Sequence, residues 1–284
     1  MKNQKRVAAI HDISGIGKCS LTVALPILSA AGIECAAMPT AILSTHTGGF
    51  ENYTYRDLTS DMMRMADHWA SYDFSFDAIY SGFLGSNEQV DIVKKIIKKL
   101  SNENTLVIVD PAMADFGRLY KTFKPDFPQK MLTLAAKADI LTPNITEACL
   151  LTGVEYKDGP YTKEYIENLL LECAKIGAKQ IVLTGVYFSD TTLGAATYNS
   201  EDESIKFIMT EKQAGLFHGT GDVFASVLVS AIMNGFTLDE AVKIAADFVN
   251  LSIKATCNMT NPIKYGVCFE TVLPDLIRML DKKQ

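Results

Sequence analysis

The sequence predicts an α/β fold in which helices cover both faces of a mostly parallel β-sheet. Short apolar runs alternate along the chain with longer stretches of helical periodicity, and this alternation is typical of parallel strands joined by helical crossovers. The chain has 284 residues, of which 48% are hydrophobic, so a sizeable core can be buried. We find no internal repeat and no low-complexity linker, and we therefore expect one domain over residues 1–284.

The first elements follow this pattern closely. Residues 7–10 form an apolar run that predicts a buried strand, and residues 21–31 predict a helix. Gly32 ends that helix, because glycine readily takes the left-handed conformation found after a helix C-terminus. Residues 34–43 are again extended. Further short strands are expected at 78–80, 106–109, 140–141 and 181–183, and the helices between them at 88–100, 129–137, 146–151 and 162–176.

The last third of the chain changes character. Residues 192–198 and 205–209 predict an antiparallel hairpin, and two strong helices follow at 220–233 and 238–254. The stretch NGFTLDEA between these helices carries a glycine stop followed by a threonine N-cap. The hairpin and the helix pair thus complete the predicted α/β architecture.

Composition excludes several classes of function. The net charge is −6 and no basic block is present, so a nucleic-acid partner is not expected. The N-terminus lacks the apolar core of roughly 7–15 residues that a secretory signal needs. No run approaches the ~18 apolar residues of a membrane span. The six cysteines form no C-x-x-C pair and show no zinc spacing, as expected for reduced thiols in a cytoplasmic protein.

Polar residues follow several of the expected strands. Asp12, residues 44–47, Asp110, residues 142–144 and Thr184 each come at or near the carboxyl end of an apolar run. In parallel sheets, ligands bind at the carboxyl ends of the strands. These side chains therefore predict a binding site at one edge of the sheet.

The stretch HDISGIGKCS looks at first like a phosphate-binding loop. A Walker A loop requires a first glycine where this chain has Asp12, and a serine or threonine where it has Cys19. A thiol cannot supply the hard oxygen that Mg²⁺ prefers. We therefore reject a Walker A loop. The stretch is either a flexible turn with Lys18 in solvent, or a small-residue surface that an aromatic ligand can approach, with Asp12 as a polar contact.

A better anion site comes two hundred residues later. Gly219, Thr220 and Gly221 stand directly before an apolar helix, where unpaired backbone N–H groups and the positive end of the helix dipole bind anions. Asp222 follows them. A carboxylate here is either a common helix cap or a general base beside the anion site, and a base of this kind suits phosphoryl transfer.

The stretch GTGDVFAS resembles the anion-hole motif of the ribokinase-like small-molecule kinases. LSTHTGG at 43–49, VDPAMADFGRLY at 109–120 and LTPNITEACLLTG at 141–153 resemble segments of the pyridoxal kinases within that superfamily. The resemblance runs in order over nearly the whole chain. It implies a three-layer α/β/α fold with a mostly parallel central sheet, and an enzyme that usually works as a homodimer.

The resemblance also implies roles for individual residues. Asp222 would deprotonate the 5'-hydroxymethyl group of pyridoxal, pyridoxine or pyridoxamine, while the amides of Gly219, Thr220 and Gly221 hold the phosphoryl group transferred from ATP. Mg²⁺ would be held, directly or through water, by Asp115, Glu147 and Asp110. ATP would also contact Asn144 and Thr184. The vitamin pocket would include Asp12, Thr47, Phe83 and His46, although His46 is equally well explained as a hydrogen-bonded structural residue.

Two other interpretations remain. The hydroxymethylpyrimidine kinases of the same superfamily resemble this chain at HGTG, but they typically carry a cysteine where this chain has Asp222. A non-catalytic protein that binds vitamin B6 would have no use for a base beside an anion hole. Many pyridoxal kinases have a serine where this chain has Asp12, and Phe83 replaces an aromatic position that often carries a hydroxyl. These departures leave the preferred vitamer open.

Overall fold

The computed structural model describes residues 4–215, 217–260 and 265–281. Its strands are β1 (Arg6–Ile16), β2 (Glu34–Thr45), β3 (Tyr55–Asp57), β4 (Ala78–Ser81), β5 (Leu106–Val109), β6 (Ala114–Asp115), β7 (Arg118–Leu119), β8 (Ile140–Leu141), β9 (Gln180–Val186), β10 (Thr192–Asn199) and β11 (Ser204–Glu211). Its helices are α1 (Leu21–Ala30), α2 (Thr59–Ser71), α3 (Asn87–Leu100), α4 (Phe127–Ala135), α5 (Ile145–Thr152), α6 (Lys163–Ala174), α7 (Thr220–Met233), α8 (Leu238–Cys257) and α9 (Leu273–Leu280).

Nine of these strands form one sheet in the order β11-β10-β9-β8-β5-β4-β1-β2-β3. The six strands from β9 to β2 in this order run parallel to one another. Pairing at the two edges is antiparallel: β10 pairs antiparallel with both β9 and β11 on one side, and β3 pairs antiparallel with β2 on the other. The short strands β6 and β7 pair separately as a small hairpin.

Helices pack on both faces of this sheet, and β1 shows how the sequence encodes the two layers. Val7 and Ala9 belong to the core formed with α1, α7, α8 and α9. Ala8 and Ile10 belong to the opposite core, formed with α2 to α6. Because successive side chains of a strand point to opposite faces, a strand buried on both sides must be apolar throughout. The predicted three-layer α/β fold is confirmed.

The segment after Ile10 differs from the prediction. Strand β1 continues to Ile16, because Ile13 to Ile16 pair with β2 after a register shift between His11 and Ile13. A flexible turn at this place is therefore wrong. Lys18 is not free in solvent either, since its Nζ lies 2.5 Å from Glu270 Oε2.

Several short or polar elements were not predicted, namely β3, α2, the β6–β7 hairpin and α9. In the part of the chain that the structure describes, we find no helix with the length and apolarity needed to cross a membrane.

Candidate active site

A cleft of about 590 Å³ lies at the carboxyl ends of the central strands. Its walls come from the segment after β5, the starts of α5 and α7, and one face of α8. Nine residues that the sequence singled out line this cleft together: Asp110, Asp115, Asn144, Glu147, Thr184, Gly219, Thr220, Gly221 and Asp222. Leu216, at the start of the glycine-rich stretch, lies outside the described residues.

The N-terminus of α7 opens into the cleft. Gly219 caps the helix in the left-handed conformation, with φ of 75°, and its carbonyl accepts the N–H of Val223 at 3.0 Å. The N–H groups of Thr220 and Gly221 precede this bond and so have no partner within the helix. They lie at the positive end of the helix dipole, and this arrangement binds anions.

Asp222 lies in the first turn of α7, half-buried, and lines the same cleft. The N-cap residue of α7 is Gly219, which has no side chain to cap the helix. Burial raises the pKa of Asp222 to about 7, and the negative charge of Asp12 adds to this shift, while backbone N–H groups of Ser20 and Asp222 itself oppose it. A carboxylate with a pKa near neutrality can both accept and return a proton.

The start of α5 explains the TPN-x-x-E pattern by capping. Asn144 Oδ1 accepts the N–H of Glu147 at 2.9 Å, and Glu147 Oε2 accepts the N–H of Asn144 at 2.9 Å. This reciprocal pair is a capping box. The second oxygen of Glu147 accepts the N–H of Met113 at 3.0 Å, and Asn144 Nδ2 donates to Ala114 O at 2.8 Å. Both side chains therefore hold the segment after β5 against the helix.

Three carboxylates near this segment could help to hold a cation. Burial raises the pKa of Asp110 well above its usual range, and the charges of Glu147 and Asp222 raise it further. Burial likewise raises the pKa of Glu147 to about 8. Asp115 is exposed beside them, and its Oδ1 accepts the N–H of Phe116. A nearby positive charge would stabilise the ionised form of these carboxyl groups and so lower their raised pKa values.

The donor set fits Mg²⁺ better than it fits an all-protein metal cage. Among the described residues, no group of three or more His, Cys, Asp or Glu side chains is arranged to hold a metal ion by itself. Mg²⁺ usually binds through one or two carboxylates together with waters and substrate phosphates, and carboxylate oxygens are its preferred ligands. Asp110, Asp115 and Glu147 can therefore contribute to a site that a phosphorylated ligand completes.

Asp110→Asn should stabilise the protein in the absence of Mg²⁺. Because the folded-state pKa of Asp110 is raised, its ionisation costs stability as the pH rises above the ordinary value near 4. We expect the substitution to raise the free energy of unfolding at pH 8 by about 1–3 kcal/mol, with a smaller gain near pH 4.5. Urea unfolding at the two pH values tests this. The exposed Asp190→Asn is the control, and a less stable Asp110→Asn protein at pH 8 would contradict the expectation.

The residues expected in the vitamin pocket are only partly brought together. Asp12 is buried and accepts hydrogen bonds from Ser20 Oγ at 2.6 Å and Ser14 Oγ at 3.2 Å. Its negative charge raises the pKa of Asp222, but Asp12 does not line the cleft. His46 is also buried, with its ring 5.5 Å from the ring of His218, which does line the cleft.

The other two vitamin-pocket residues are farther from this arrangement. Thr47 is exposed, and Phe83 packs against Phe123 with ring centroids 5.4 Å apart. Neither residue lines the cleft. The ring of His46 accepts the N–H of Gly48 at Nδ1, and its Nε2 lies 2.8 Å from Tyr265 O, so His46 has a structural role whatever else it contacts.

Sequence reasoning missed one part of the cleft wall. This part is formed by Leu193 of the β10–β11 hairpin and by Ala246, Val249, Asn250 and Ile253 of α8. The last four follow the i, i+3, i+4, i+7 spacing of one helix face. A single asparagine within an otherwise apolar face was the signal that could have revealed this wall.

Comparison with known proteins identifies kinases, in agreement with the geometry of the site. The sequence profile of the phosphomethylpyrimidine kinase family matches residues 25–265. A crystal structure from Bacteroides thetaiotaomicron, provisionally named a phosphomethylpyrimidine kinase and crystallised with pyridoxal, is 34% identical with a TM-score of 0.91, and the match covers 96% of each chain. The pyridoxal kinase of Lactobacillus plantarum is 29% identical with a TM-score of 0.88, over 98% of each chain.

Curated sequences that resemble this chain are also of two kinds, pyridoxal kinases and enzymes of thiamine biosynthesis. A Caenorhabditis elegans protein, provisionally named a pyridoxal kinase, is 30% identical over 82% of this chain and 75% of its own length. Other matches cover 53% of a Dictyostelium discoideum pyridoxal kinase and 44% of an Arabidopsis thaliana thiamine biosynthetic bifunctional enzyme, so the chain spans about half the length of these relatives. The resemblance noted in the sequence is confirmed.

Proposed function

This chain belongs to the phosphomethylpyrimidine kinase family, and on that premise we propose that it transfers a phosphoryl group from ATP to the 5'-hydroxymethyl group of pyridoxal, pyridoxine or pyridoxamine. One observation carries the proposal: Asp222, with a pKa raised to about 7, lines the same cleft as the open N-terminus of α7. A proton acceptor beside an anion site is what the transfer of a phosphoryl group to an alcohol requires.

Each group of residues has its own role in the proposed reaction. Asp222 accepts the proton of the attacking hydroxyl, while the amides of Gly219, Thr220 and Gly221 stabilise the negative charge of the phosphoryl group during its transfer. Asn144 and Thr184 lie at the cleft wall where they can contact the phosphates of ATP. Asp110, Asp115 and Glu147 would hold Mg²⁺ directly or through water. When bound, Mg²⁺ supplies positive charge that neutralises the phosphate oxygens.

The pH dependence of the reaction should report the ionisation of Asp222. Because only the ionised carboxylate accepts a proton, a pKa raised to about 7 predicts that kcat/KM for the acceptor falls about tenfold per pH unit below pH 7 and levels off above it. Asp12→Asn removes one cause of the raised pKa, so the acid limb should move to lower pH. Both proteins are measured with the same vitamer, so that ionisation of the substrate affects both profiles equally. If the acid limbs of the two profiles coincide, the assignment of this ionisation to Asp222 is contradicted.

A coupled assay of ADP release tests the proposed activity. The purified chain is given ATP, Mg²⁺ and one acceptor at a time: pyridoxal, pyridoxine, pyridoxamine or hydroxymethylpyrimidine. Turnover of at least one vitamer supports the proposal. Phosphorylation of hydroxymethylpyrimidine alone favours the second candidate, a kinase of thiamine biosynthesis, which the family profile and the match to the thiamine biosynthetic enzyme support.

Two further properties stay predictions, one implied by the resemblance and one by the sequence itself. We expect the protein to act as a homodimer, and light scattering of the purified chain at micromolar concentration measures its mass directly. A cytoplasmic location is expected from the sequence alone, and fractionation of cells that express the chain would test it.

A further inference from the structure

Two buried hydroxyl groups lie between the central sheet and α7. Tyr80 on β4 is fully buried, and its Oη has no hydrogen-bond partner among the described residues. The same holds for Oγ of Ser226 on α7. Buried polar side chains are usually hydrogen-bonded, so each unpaired one needs an explanation. Packing does not supply it, because phenylalanine would fill the place of Tyr80 without an unpaired hydroxyl.

The register of the sheet places Tyr80 next to Asp110. Tyr80 pairs with Ile108 of β5, and both residues belong to the core under α7. Because side chains alternate along a strand, Asp110 points to the same face of the sheet as Ile108. The N–H of Asp110 donates to the backbone oxygen of Ser81 at 2.8 Å, so the two strands still lie side by side at this point. Tyr80 and Asp110 are therefore neighbours on one face.

The electrostatics of Tyr80 agree with this placement. Burial raises the pKa of Tyr80 well above its usual range, and the charges of Asp110 and then Asp222 raise it further. The neighbouring hydroxyl of Ser226, four residues after Asp222 on α7, opposes the shift. The phenol is therefore protonated and can donate a hydrogen bond. Asp110 is the carboxylate that influences it most.

The ring of Tyr80 is held in place from the side of β1. His11 is fully buried, and its ring meets the Tyr80 ring edge to face, with centroids 4.4 Å apart. Gly82 leaves room for this imidazole, because a Cβ there would lie 2.2 Å from His11 Nδ1. Burial lowers the pKa of His11 to about 3, so the imidazole is neutral and is no counter-ion for Asp110. His11 thus fixes the ring and leaves the hydroxyl to act on Asp110.

We propose that Tyr80 is a positioning residue for the cation site: its hydroxyl donates a hydrogen bond to Asp110 and orients that carboxylate for the Mg²⁺ that binds with the nucleotide. This inference rests on the proposed function, because it takes a nucleotide with Mg²⁺ to be the phosphoryl donor. Before substrates bind, such hydrogen bonds are often long, and they shorten in the complex. Asp110 lines the cleft and Tyr80 does not, so Tyr80 acts through Asp110.

Calorimetric titration of ADP with and without Mg²⁺ tests this assignment without any turnover. The ratio of the two dissociation constants measures how strongly Mg²⁺ and the nucleotide favour each other's binding. We expect Tyr80→Phe to lower this ratio about tenfold, as for the loss of one hydrogen bond to a charged group, with an unchanged affinity for ADP in the absence of Mg²⁺. An unchanged ratio in the variant, or a wild-type ratio of one, would overturn the inference.

Thermal unfolding separates positioning from a structural role. Tyr80→Phe removes a buried hydroxyl that has no partner, so the Tm without ligands should equal or exceed that of the wild type. A lower Tm, or a variant that does not fold, would show a structural role and contradict the inference. Tyr198→Phe is the matched control, since Tyr198 is a buried tyrosine of β10 in the core on the opposite face of the sheet. It should leave the ratio unchanged.

Combining Tyr80→Phe with Asp110→Asn tests whether Tyr80 acts through Asp110. Asp110→Asn alone should lower the ratio, because it removes a carboxylate from the cation site. Adding Tyr80→Phe should then change the ratio less than about twofold, since the partner of the hydroxyl is already lost. A further tenfold loss in the double variant would mean that Tyr80 acts on another group, and the inference would fall.

The two proposals fail in different ways. A protein that phosphorylates a vitamer, but whose Tyr80→Phe variant keeps the wild-type ratio, retains the proposed function and loses the role of Tyr80. A protein whose binding of ADP depends on Mg²⁺ through Tyr80, but which phosphorylates no acceptor, retains the cation site and loses the proposed function. Absence of ADP binding to the wild-type protein would overturn both.

Discussion

Asp222→Asn should lower kcat by about 10³-fold, within the range of 10²–10⁴ that a positioned general base contributes. The asparagine has nearly the same shape, so the affinities for ATP and the vitamer should change little. The substitution also removes a carboxylate whose ionisation is opposed by burial and by Asp12, so the folded state should not lose stability. Single-turnover rates and equilibrium binding of each ligand, measured on the same preparation, separate the two effects.

Asp239→Asn is the matched control. Asp239 also lies in the first turn of a helix, α8, but it contacts Lys206 and Thr197 and does not line the cleft. Removing its charge should leave kcat unchanged. If Asp222 served only to favour its helix dipole, both substitutions would lower stability and neither would change turnover. A wild-type kcat for Asp222→Asn would remove the base and leave the non-catalytic binding protein as the better explanation.

The sequence was most informative where a local pattern has a single physical meaning. Val7 to Ile10 is apolar without interruption because both faces of β1 are covered, and Asn144 with Glu147 forms the capping box that its spacing indicates. The position of Asp222 beside the glycine-rich turn could likewise be predicted, because these residues are consecutive in the sequence. Such features depend on neighbours within one element, and so they can be predicted without coordinates.

The elements that escaped prediction have weak local patterns. Helix α2 buries fully only Met62 and Ala66, so its apolar stripe is too narrow to stand out. Strand β3 is exposed along all three residues, and β6 and β7 have two residues each. Segments this short show no hydrophobic periodicity from which a strand could be predicted. Strand β3 depends on hydrogen bonds to β2, and β6 and β7 pair with each other.

Parts of the site depend on contacts between distant residues, and these were also out of reach. Asn250 is unremarkable in sequence until its neighbours on α8 are seen to form one wall of the cleft with Leu193. Lys18 likewise pairs with Glu270, which lies 252 positions later. The sequence showed which residue types could do the chemistry, whereas the structure was needed to show which surfaces face each other.

Gly219→Ala should lower kcat by about 10²–10³-fold, comparable to the loss of one donor from an oxyanion hole. Gly219 has a φ of 75°, and a Cβ built there would lie 1.8 Å from the backbone oxygen of Lys18. Backbone cannot move aside as a flexible side chain can, so the turn itself must shift. A misplacement of about 1 Å can cost about 10²-fold in rate, and the amides that we propose hold the phosphoryl group would move with the turn.

Gly32→Ala separates this effect from the general cost of placing alanine in a left-handed conformation. Gly32 has a φ of 78°, but a Cβ there meets nothing within 4 Å, and the residue follows α1 away from the cleft. We expect Gly32→Ala to lose about 1 kcal/mol of stability with an unchanged kcat. We expect Gly219→Ala to lose both stability and turnover.

The contact with Lys18 also gives the GIGK stretch a role that is different from phosphate binding. Its backbone packs against Gly219 and thereby positions the turn before α7. The glycine-rich segment that resembles a phosphate loop thus supports the turn that we propose binds the transferred phosphoryl group. If Gly219→Ala kept wild-type turnover while remaining folded, the amides of this turn would not hold the phosphoryl group, and the anion site would have to be sought elsewhere in the cleft.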